Sequence, residues 1–410
     1  MAQVRPFCGV RPKNDLAATL IAQPYDVPTE AEARALTAHN PHSFLHITRP
    51  EVDMPPGSDS HAPEAYALAA ANFQAFLDRG WLIQDEGPCY YLYTQTWGRH
   101  VQTALLALCS VEEYDTGLIK RHELTRPDKE QDRVDHIAAL NAQTGLVFLT
   151  YRQDPKLATL LADAAEAPMC WMVTTEDGVE HMLQVVTDID LLPRITAAFA
   201  ALPALYVADG HHRSAAASRV SAARGGQGEA AWFLAGIFPD DQLKCLAYNR
   251  LVADLNGHSA ESLLAAIGEV YSLTPDVAPE PTERGTLTLY LEGRWWGLRP
   301  RPGVVPEDPV GALDVSVLQS RVLQPLLGIQ DPRTDARISF VGGVRGAGAL
   351  KSAVDSGAAA IAFHLYPTGL DQLFAVADAG QLMPPKSTWF EPKLRGGVLV
   401  HRLDGPDAAS

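Results

Sequence analysis

Residues 209–213 read Asp-Gly-His-His-Arg: a carboxylate, a glycine, two imidazoles and a guanidinium in consecutive positions. The flanks give the run its meaning. Before it, "ALYV" is short, apolar and β-prone; after it, "SAAASRVSAA" is built of helix formers. A glycine between strand and helix permits a sharp turn, and the first N–H groups of the helix then point outward. Such an end attracts anions through its donors and the positive end of the helix dipole. The chemistry expected is the holding of a phosphorylated ligand at Gly210, His211 and Arg213. Asp209 and His212 are candidates for the chemical step, and Asp209 also for a metal ligand. The competing reading is a tight turn with a capping aspartate. A zinc pair is disfavoured, because adjacent residues on a helix point about 100° apart.

Three other stretches carry chemistry-bearing residues. "IKRHELTRPDKEQDRVDHI" (119–137) sets His122, Glu123, Lys129 and Arg133 just after a strand. Loop residues at strand exits commonly line sites, so His122 and Glu123 are catalytic candidates and Lys129 and Arg133 phosphate-binding ones. A solvated, charge-laced helix would look similar. The stretch is no zincin motif, since Arg126 stands where the second histidine belongs. "MPPKSTWFEPKL" (383–394) holds Lys386, Ser387, Thr388 and Lys393 among prolines, without the glycines of a phosphate-binding loop. A proline-stiffened loop keeps lysines and hydroxyls in place at low entropic cost, so a phosphate or carboxylate of the substrate is the expected partner. In "PYDVP" (24–28), Asp26 is either a helix cap or a general base or metal-binding carboxylate.

The elements that must position these groups alternate along the chain. A helix begins near Thr29, and "HAPEAYALAAANFQAFLDRGWL" is an amphipathic helix ending at Gly80. "CYYLYTQTW" and "QTALLALCSV" form a hairpin turning at Gly98, followed by a helix in "DRVDHIAALNAQTG" and a buried strand in "LVFLTY". "LLPRITAAFAAL" is a helix leading into the Asp209 turn, and the tail alternates strand and helix. The fold class expected is α+β, with mixed sheets and flanking helices. A boundary near residue 250 divides a phosphate- and nucleotide-binding domain (1–250) from a smaller α/β C-terminal domain (251–410) that contributes the Lys-Ser-Thr loop.

Composition narrows the function. The 410 residues are 47% hydrophobic and 20% charged, the balance of a packed globular enzyme. A net charge of −16 argues against a nucleic-acid or anionic-membrane partner. The five cysteines are dispersed, with no C-x-x-C pair, so neither a disulfide framework nor a cysteine-zinc site is expected. The N-terminal twenty residues do not read as a signal peptide and no apolar run has membrane length, which makes a cytoplasmic location the expectation. There is no G-x-S-x-G elbow, and "GGVRGAGAL" lacks the third glycine of a dinucleotide fingerprint.

"PYDV", "RHELT" followed by "DKEQDR", "ADGHHR" and "MPPKSTWFEPKLRGG", in this order, resemble the domain of unknown function 1015 family over nearly the whole chain. The last motif is the most specific. One departure is visible: in "LKCLAYNRLV", Asn249 precedes Arg250 where the family usually carries His-Arg. The "DGHHR" turn is also similar to the phosphate-binding turn of the ParB/sulfiredoxin superfamily, which includes sulfiredoxins, ParB nucleotide hydrolases and free-serine kinases. That resemblance implies a nucleotide-binding core of ParB/sulfiredoxin type. His211 or His212 stands where sulfiredoxin has its catalytic cysteine, so that chemistry is not implied. The N-terminal carboxylate base of the free-serine kinases would match Asp26 or Glu30. The resulting expectation is a small-molecule phosphotransferase, a kinase of free L-serine or a similar hydroxy amino acid. ATP or ADP would be the donor and Mg²⁺ the metal. The alternatives are a non-catalytic regulator that binds a nucleotide or phospho-metabolite, and a phosphatase or other hydrolase using the same cradle.

Overall fold

The computed structural model describes residues 2–404. The chain forms two compact units: Met1–Arg121, Thr125–Leu243 and Pro392–Ser410 make the first, and Lys244–Glu391 with His122–Leu124 the second.

The first unit is built on a mixed sheet of nine strands among the described residues. Its order is Ile119–Lys120, Leu205–Asp209, Val147–Tyr151, Trp232–Pro239, His100–Ser110, Tyr90–Trp97, Val179–Val186 and Met169–Thr174, with Val4–Arg5 also on His100–Ser110. The hairpin between Tyr90–Trp97 and His100–Ser110 turns at Gly98, whose φ of 61° suits glycine. Leu205–Asp209 is parallel to Ile119–Lys120, and Trp232–Pro239 to Val147–Tyr151; the remaining pairings are antiparallel. The central strands are almost wholly buried, with helices on one face and, on the other, extended segments that bring Gly9 to Tyr91 and Leu394 to Gly236. On one side Leu157, Leu160, Ile195 and Phe199, from helices Pro155–Ala164 and Leu191–Ala200, join Leu105, Leu149 and Ile237 of the sheet. A second cluster gathers Phe73 and Phe76 of helix Pro63–Asp78 with Phe44, Leu45 and Ile47. The helix Glu30–Thr37 starts after Thr29, as expected, and the structure adds a complete capping box between Thr29 and Glu32.

Helices Pro127–Leu140 and His211–Ala223, which carry two of the charged motifs, share a small core of Ile137, Ala216, Val220 and Leu403. Pro127 sits at the first helical position, where its missing N–H costs nothing, and Asn141 ends the helix in the left-handed region. The α+β class expected from sequence is the class observed. No helix among the described residues is long and apolar enough to cross a membrane.

The second unit centres on an antiparallel sheet ordered Tyr271–Pro275, Arg294–Pro300, Leu287–Leu291, Ile361–Leu365, Tyr248–Val252 and Ile338–Gly342. Helices Ala260–Gly268, Gly346–Asp355 and Leu370–Asp378 accompany it. A two-stranded ribbon, Lys244–Leu246 with Trp389–Glu391, completes the unit.

Candidate anion-binding site

In the first unit, Leu205–Asp209 ends beside the start of its antiparallel neighbour Val147–Tyr151. Trp232–Pro239 runs parallel to that neighbour and therefore begins at the same edge. Val207 faces Leu149 while Asp209 faces Phe148, so one extra residue, Ala208, is accommodated between them. Such a bulge re-aims the side chain that follows it, here Asp209.

Gly210 is the N-cap of helix His211–Ala223, at φ 92°. A Cβ there would lie 3.0 Å from Cζ and Nε of Arg213, and a Cβ on Gly145 would lie 3.1 Å from its Cδ. Arg213 thus runs through a slot between two glycines. Its Nη1 donates to the Leu146 carbonyl, and its Nη2 is 3.6 Å from Oδ1 of Asp209. The other Asp209 oxygen accepts from Lys393 Nζ at 2.7 Å. Burial pushes the Asp209 carboxyl up, but Lys393 and Arg213 together outweigh it and hold the group well below the usual carboxylate range. Asp209 therefore stays ionised and fixes two cations.

Lys393 is held through its backbone. Gln95 Nε2 donates to the Lys393 carbonyl at 2.9 Å, and Gln102 Nε2 donates to Pro392 at 3.3 Å and to Gln95 Oε1 at 2.9 Å. Both glutamines are fully buried on the central hairpin.

A cleft partly open to solvent lies at this edge of the sheet. Arg133, Arg213 and Arg395 all line it, with Tyr25, Thr48, His136, Thr144 and Gly145. No aspartate or glutamate is among its lining residues within the described part of the chain. Each guanidinium is instead anchored by a carboxylate outside the lining. Arg133 pairs with Asp132 at 2.6 Å, and that carboxylate also accepts from His61 and Tyr66 at 2.9 Å each. Arg213 leans on Asp209, and Arg395 donates to Asp177 and, at 3.1 Å, to Thr175 Oγ1. The Arg395 guanidinium thus points to Thr175 and Asp177, whereas Arg133 and Arg213 both act on Tyr25 and place two guanidiniums together in a chain of net charge −16.

The "PYDV" segment is clamped onto this cleft. Arg133 stacks over the Tyr25 ring with Cζ 3.9 Å from its centroid, and Arg49 donates to the Tyr25 and Pro28 carbonyls at 2.8 and 2.7 Å. Burial first, offset in part by Arg133, pushes the Tyr25 phenol up to about 12. It remains a neutral donor at physiological pH.

His136 donates from Nε2 to the Ile47 carbonyl at 3.0 Å, and burial together with Arg133 lowers it from 6.5 to about 4. His181, stacked on Tyr93, is lowered by burial from 6.5 to about 3. The unfolded chain takes up these protons near pH 6.5, where the folded chain refuses them, so acid favours unfolding. Melting temperature should therefore fall as pH drops from 6.5 towards 4, and His136→Gln should flatten that slope in a calorimetric pH series. Asp209 acts in the same direction at lower pH: its contribution is present above the unfolded carboxylate value of 3.8 and is lost as pH falls through its depressed folded value.

Asp209, Gly210, Arg213 and Lys393 are brought together, and Arg133 lines the same cleft as Arg213. His211 is the buried first residue of the helix, while His212 Nε2 accepts from the Arg126 N–H at 3.0 Å. Lys129 is exposed on the first turn of its helix, and Asp26 is exposed on a turn closed by the Val27 N–H and the Pro24 carbonyl. Glu30 pairs with Arg34 one turn along its helix. His122 and Glu123 belong to the second unit, where the His122 carbonyl accepts from the Met383 N–H at 2.7 Å. Lys386, Ser387 and Thr388 belong to that unit too. The sequence reading did not select Tyr25, Gly145 or Arg395. Tyr25 and Arg395 lie inside motifs it quoted, but an aromatic and an arginine among lysines carry no spacing signal. Gly145 is visible only through its approach to Arg213.

Gly145→Ala is a sharp probe, because its backbone is not in the left-handed region and, among the described residues, the close neighbour of the new methyl is Arg213. The arginine must shift by a few tenths of an ångström. Pyrophosphate affinity measured by calorimetry should drop about tenfold, about 1.4 kcal/mol, with little change in melting temperature.

Fold and site define an α+β protein with an arginine-lined cleft where strand, glycine and helix meet. The chain belongs to the family described as Protein of unknown function (DUF1015), matched over residues 4–316. No curated protein matches the chain by sequence. Among solved structures, a free serine kinase variant in complex with AMP is similar at 11% identity and TM-score 0.37, covering 73% of this chain and 92% of that one. SbnI with a C-terminal truncation, from Staphylococcus aureus, is similar at 14% identity and TM-score 0.41, covering 73% and 88%. A conserved hypothetical protein from Pyrococcus furiosus is similar at 12% and 0.36, covering 73% and 96%. These likenesses are too distant to assign an activity.

Proposed function

We propose that the first unit binds the phosphates of a nucleotide in the arginine cleft and transfers a phosphoryl group to a small hydroxylated acceptor, with free L-serine or a similar hydroxy amino acid as the leading candidate. The observation that carries this is the pair of guanidiniums, Arg133 and Arg213, that share the Tyr25 side of one cleft whose lining, among the described residues, includes no carboxylate. Phosphoryl transfer asks a protein mainly for positioning and for neutralisation of phosphate oxygens. Planar guanidiniums, each fixed by its own aspartate, supply both, because their forks contact two oxygens at once. Gly210 lets phosphate approach the helix start, where the dipole adds to the field.

Asp26 is proposed as the base that accepts the acceptor's hydroxyl proton, since it is the carboxylate next to Tyr25 on the clamped loop. Lys393 is proposed as a point charge held ready by Asp209. Mg²⁺, when bound, would neutralise charge on the transferred group. At Asp209 it would compete with Lys393, which makes the donor's own phosphates the better part of its ligand set.

The test is ³¹P NMR of the full chain with Mg²⁺, L-serine and either ATP or ADP. A new phosphomonoester resonance growing as nucleotide is consumed, and absent with L-alanine, is the expected result. Nucleotide binding without transfer to any small hydroxylated acceptor would reduce the cleft to that of a binding protein.

A further inference from the structure

We infer that the second unit holds a phosphate site of its own, formed by Arg250 and Lys386 on a shared aromatic platform. Tyr248 and Arg250 lie two apart on the strand Tyr248–Val252 and so face the same side. Tyr248 packs edge-on against Trp389 at 5.1 Å and Phe340 at 6.0 Å. Arg250 Cζ lies 5.0 Å from the Phe340 centroid, and Lys386 Nζ lies 5.5 Å from that of Tyr248.

Arg250 is 4% exposed, yet among the described residues its hydrogen bonds go only to carbonyls: Tyr248, Lys386 at 3.0 Å and Pro385 at 3.4 Å. No carboxylate pairs with it among the described residues. Within its own unit Arg284, Arg294, Arg299, Arg333 and Arg337 each pair with an aspartate or glutamate, and Arg301, Arg321 and Arg345, which do not among the described residues, are exposed to water; Arg250 is buried. A buried charge without a counter-ion is costly, and burial here lowers even a guanidinium to about 10. Carbonyl dipoles ease the cost without cancelling the charge.

Lys386 is exposed, pairs with no carboxylate among the described residues, and sits in the left-handed region at φ 59°, which an L-residue adopts at a cost. The loop that holds it there is pinned by Ser387 Oγ donating to the Pro384 carbonyl at 2.6 Å and by Thr368 Oγ1 donating to the Ser387 carbonyl at 2.7 Å. The acid on this platform, Glu391, accepts from Trp389 Nε1 at 2.8 Å and is paired with neither cation among the described residues, so the two positive charges call for a doubly charged partner. Phosphate satisfies both charges; a single carboxylate would leave one unmatched. The site stands apart from the phosphotransferase reading and does not need it.

The test is calorimetric titration of the full chain with inorganic phosphate, and with acetate at equal ionic strength, in the Arg213→Met background. Phosphate should still bind there, with acetate at least tenfold weaker. Adding Lys386→Gly should weaken phosphate at least tenfold while leaving the melting temperature equal or higher, because glycine adopts a positive φ freely. Arg250→Lys should weaken phosphate similarly. Absence of phosphate binding in the Arg213→Met background, or unchanged affinity after Lys386→Gly, overturns the proposal whether or not the Arg250 variant folds.

Discussion

Replacing Arg213 by methionine should weaken ADP binding by about thirtyfold to a hundredfold. The side chain is held on several sides, threaded between Gly145 and Gly210 and tied to Leu146 and Asp209. A hydrogen bond to a charged group is worth about 1.5–3 kcal/mol, and the lower half of that range already gives more than tenfold. Methionine keeps the apolar stem, so packing in the slot is largely retained. The loss should therefore appear in calorimetric affinity and in the salt dependence of binding, with the far-UV circular dichroism unchanged. Arg213→Lys should recover only part of it, since an ammonium lacks the planar fork.

Gly210→Val should have the larger combined effect. At φ 92° a β-branched residue is a genuine outlier, and holding one there costs about 1–3 kcal/mol of stability. The new side chain also meets the Arg213 guanidinium at 3.0 Å, so the anion contact is displaced as well as the backbone strained. Affinity for ADP should fall on the order of a hundredfold, about 2.7 kcal/mol. The melting temperature should fall with it. Comparison with Gly145→Ala separates the two causes: that variant moves the same arginine without the strain. A Gly210→Val protein with native melting temperature and native affinity would remove the turn from the account.

The local half of the site was legible in the sequence. A β-prone tetrapeptide, one glycine and a run of helix formers determine the strand, turn and helix around Asp209 by short-range rules alone, and the helix start at Thr29 and the hairpin at Gly98 follow in the same way. The partners of Asp209 were not legible in that sense. Lys393 is 184 positions away, and its place depends on Gln95 and Gln102 offering amides to its backbone from a buried hairpin. Asp26 drew attention as a carboxylate in a motif, yet the tertiary contacts of that motif run through Tyr25, which stacks on Arg133. Arg250 passed as an ordinary arginine, because the absence of a counter-ion is a property of the folded surroundings.

The account rests on the arginine cleft being an anion site. The most direct measurement is calorimetric titration of the full chain with ADP at low and moderate salt, for the natural protein and for Arg213→Met. The prediction is saturable binding that weakens as salt rises and falls at least tenfold in the variant. Binding that is insensitive to both salt and the loss of Arg213, or no binding at millimolar ADP, would contradict it.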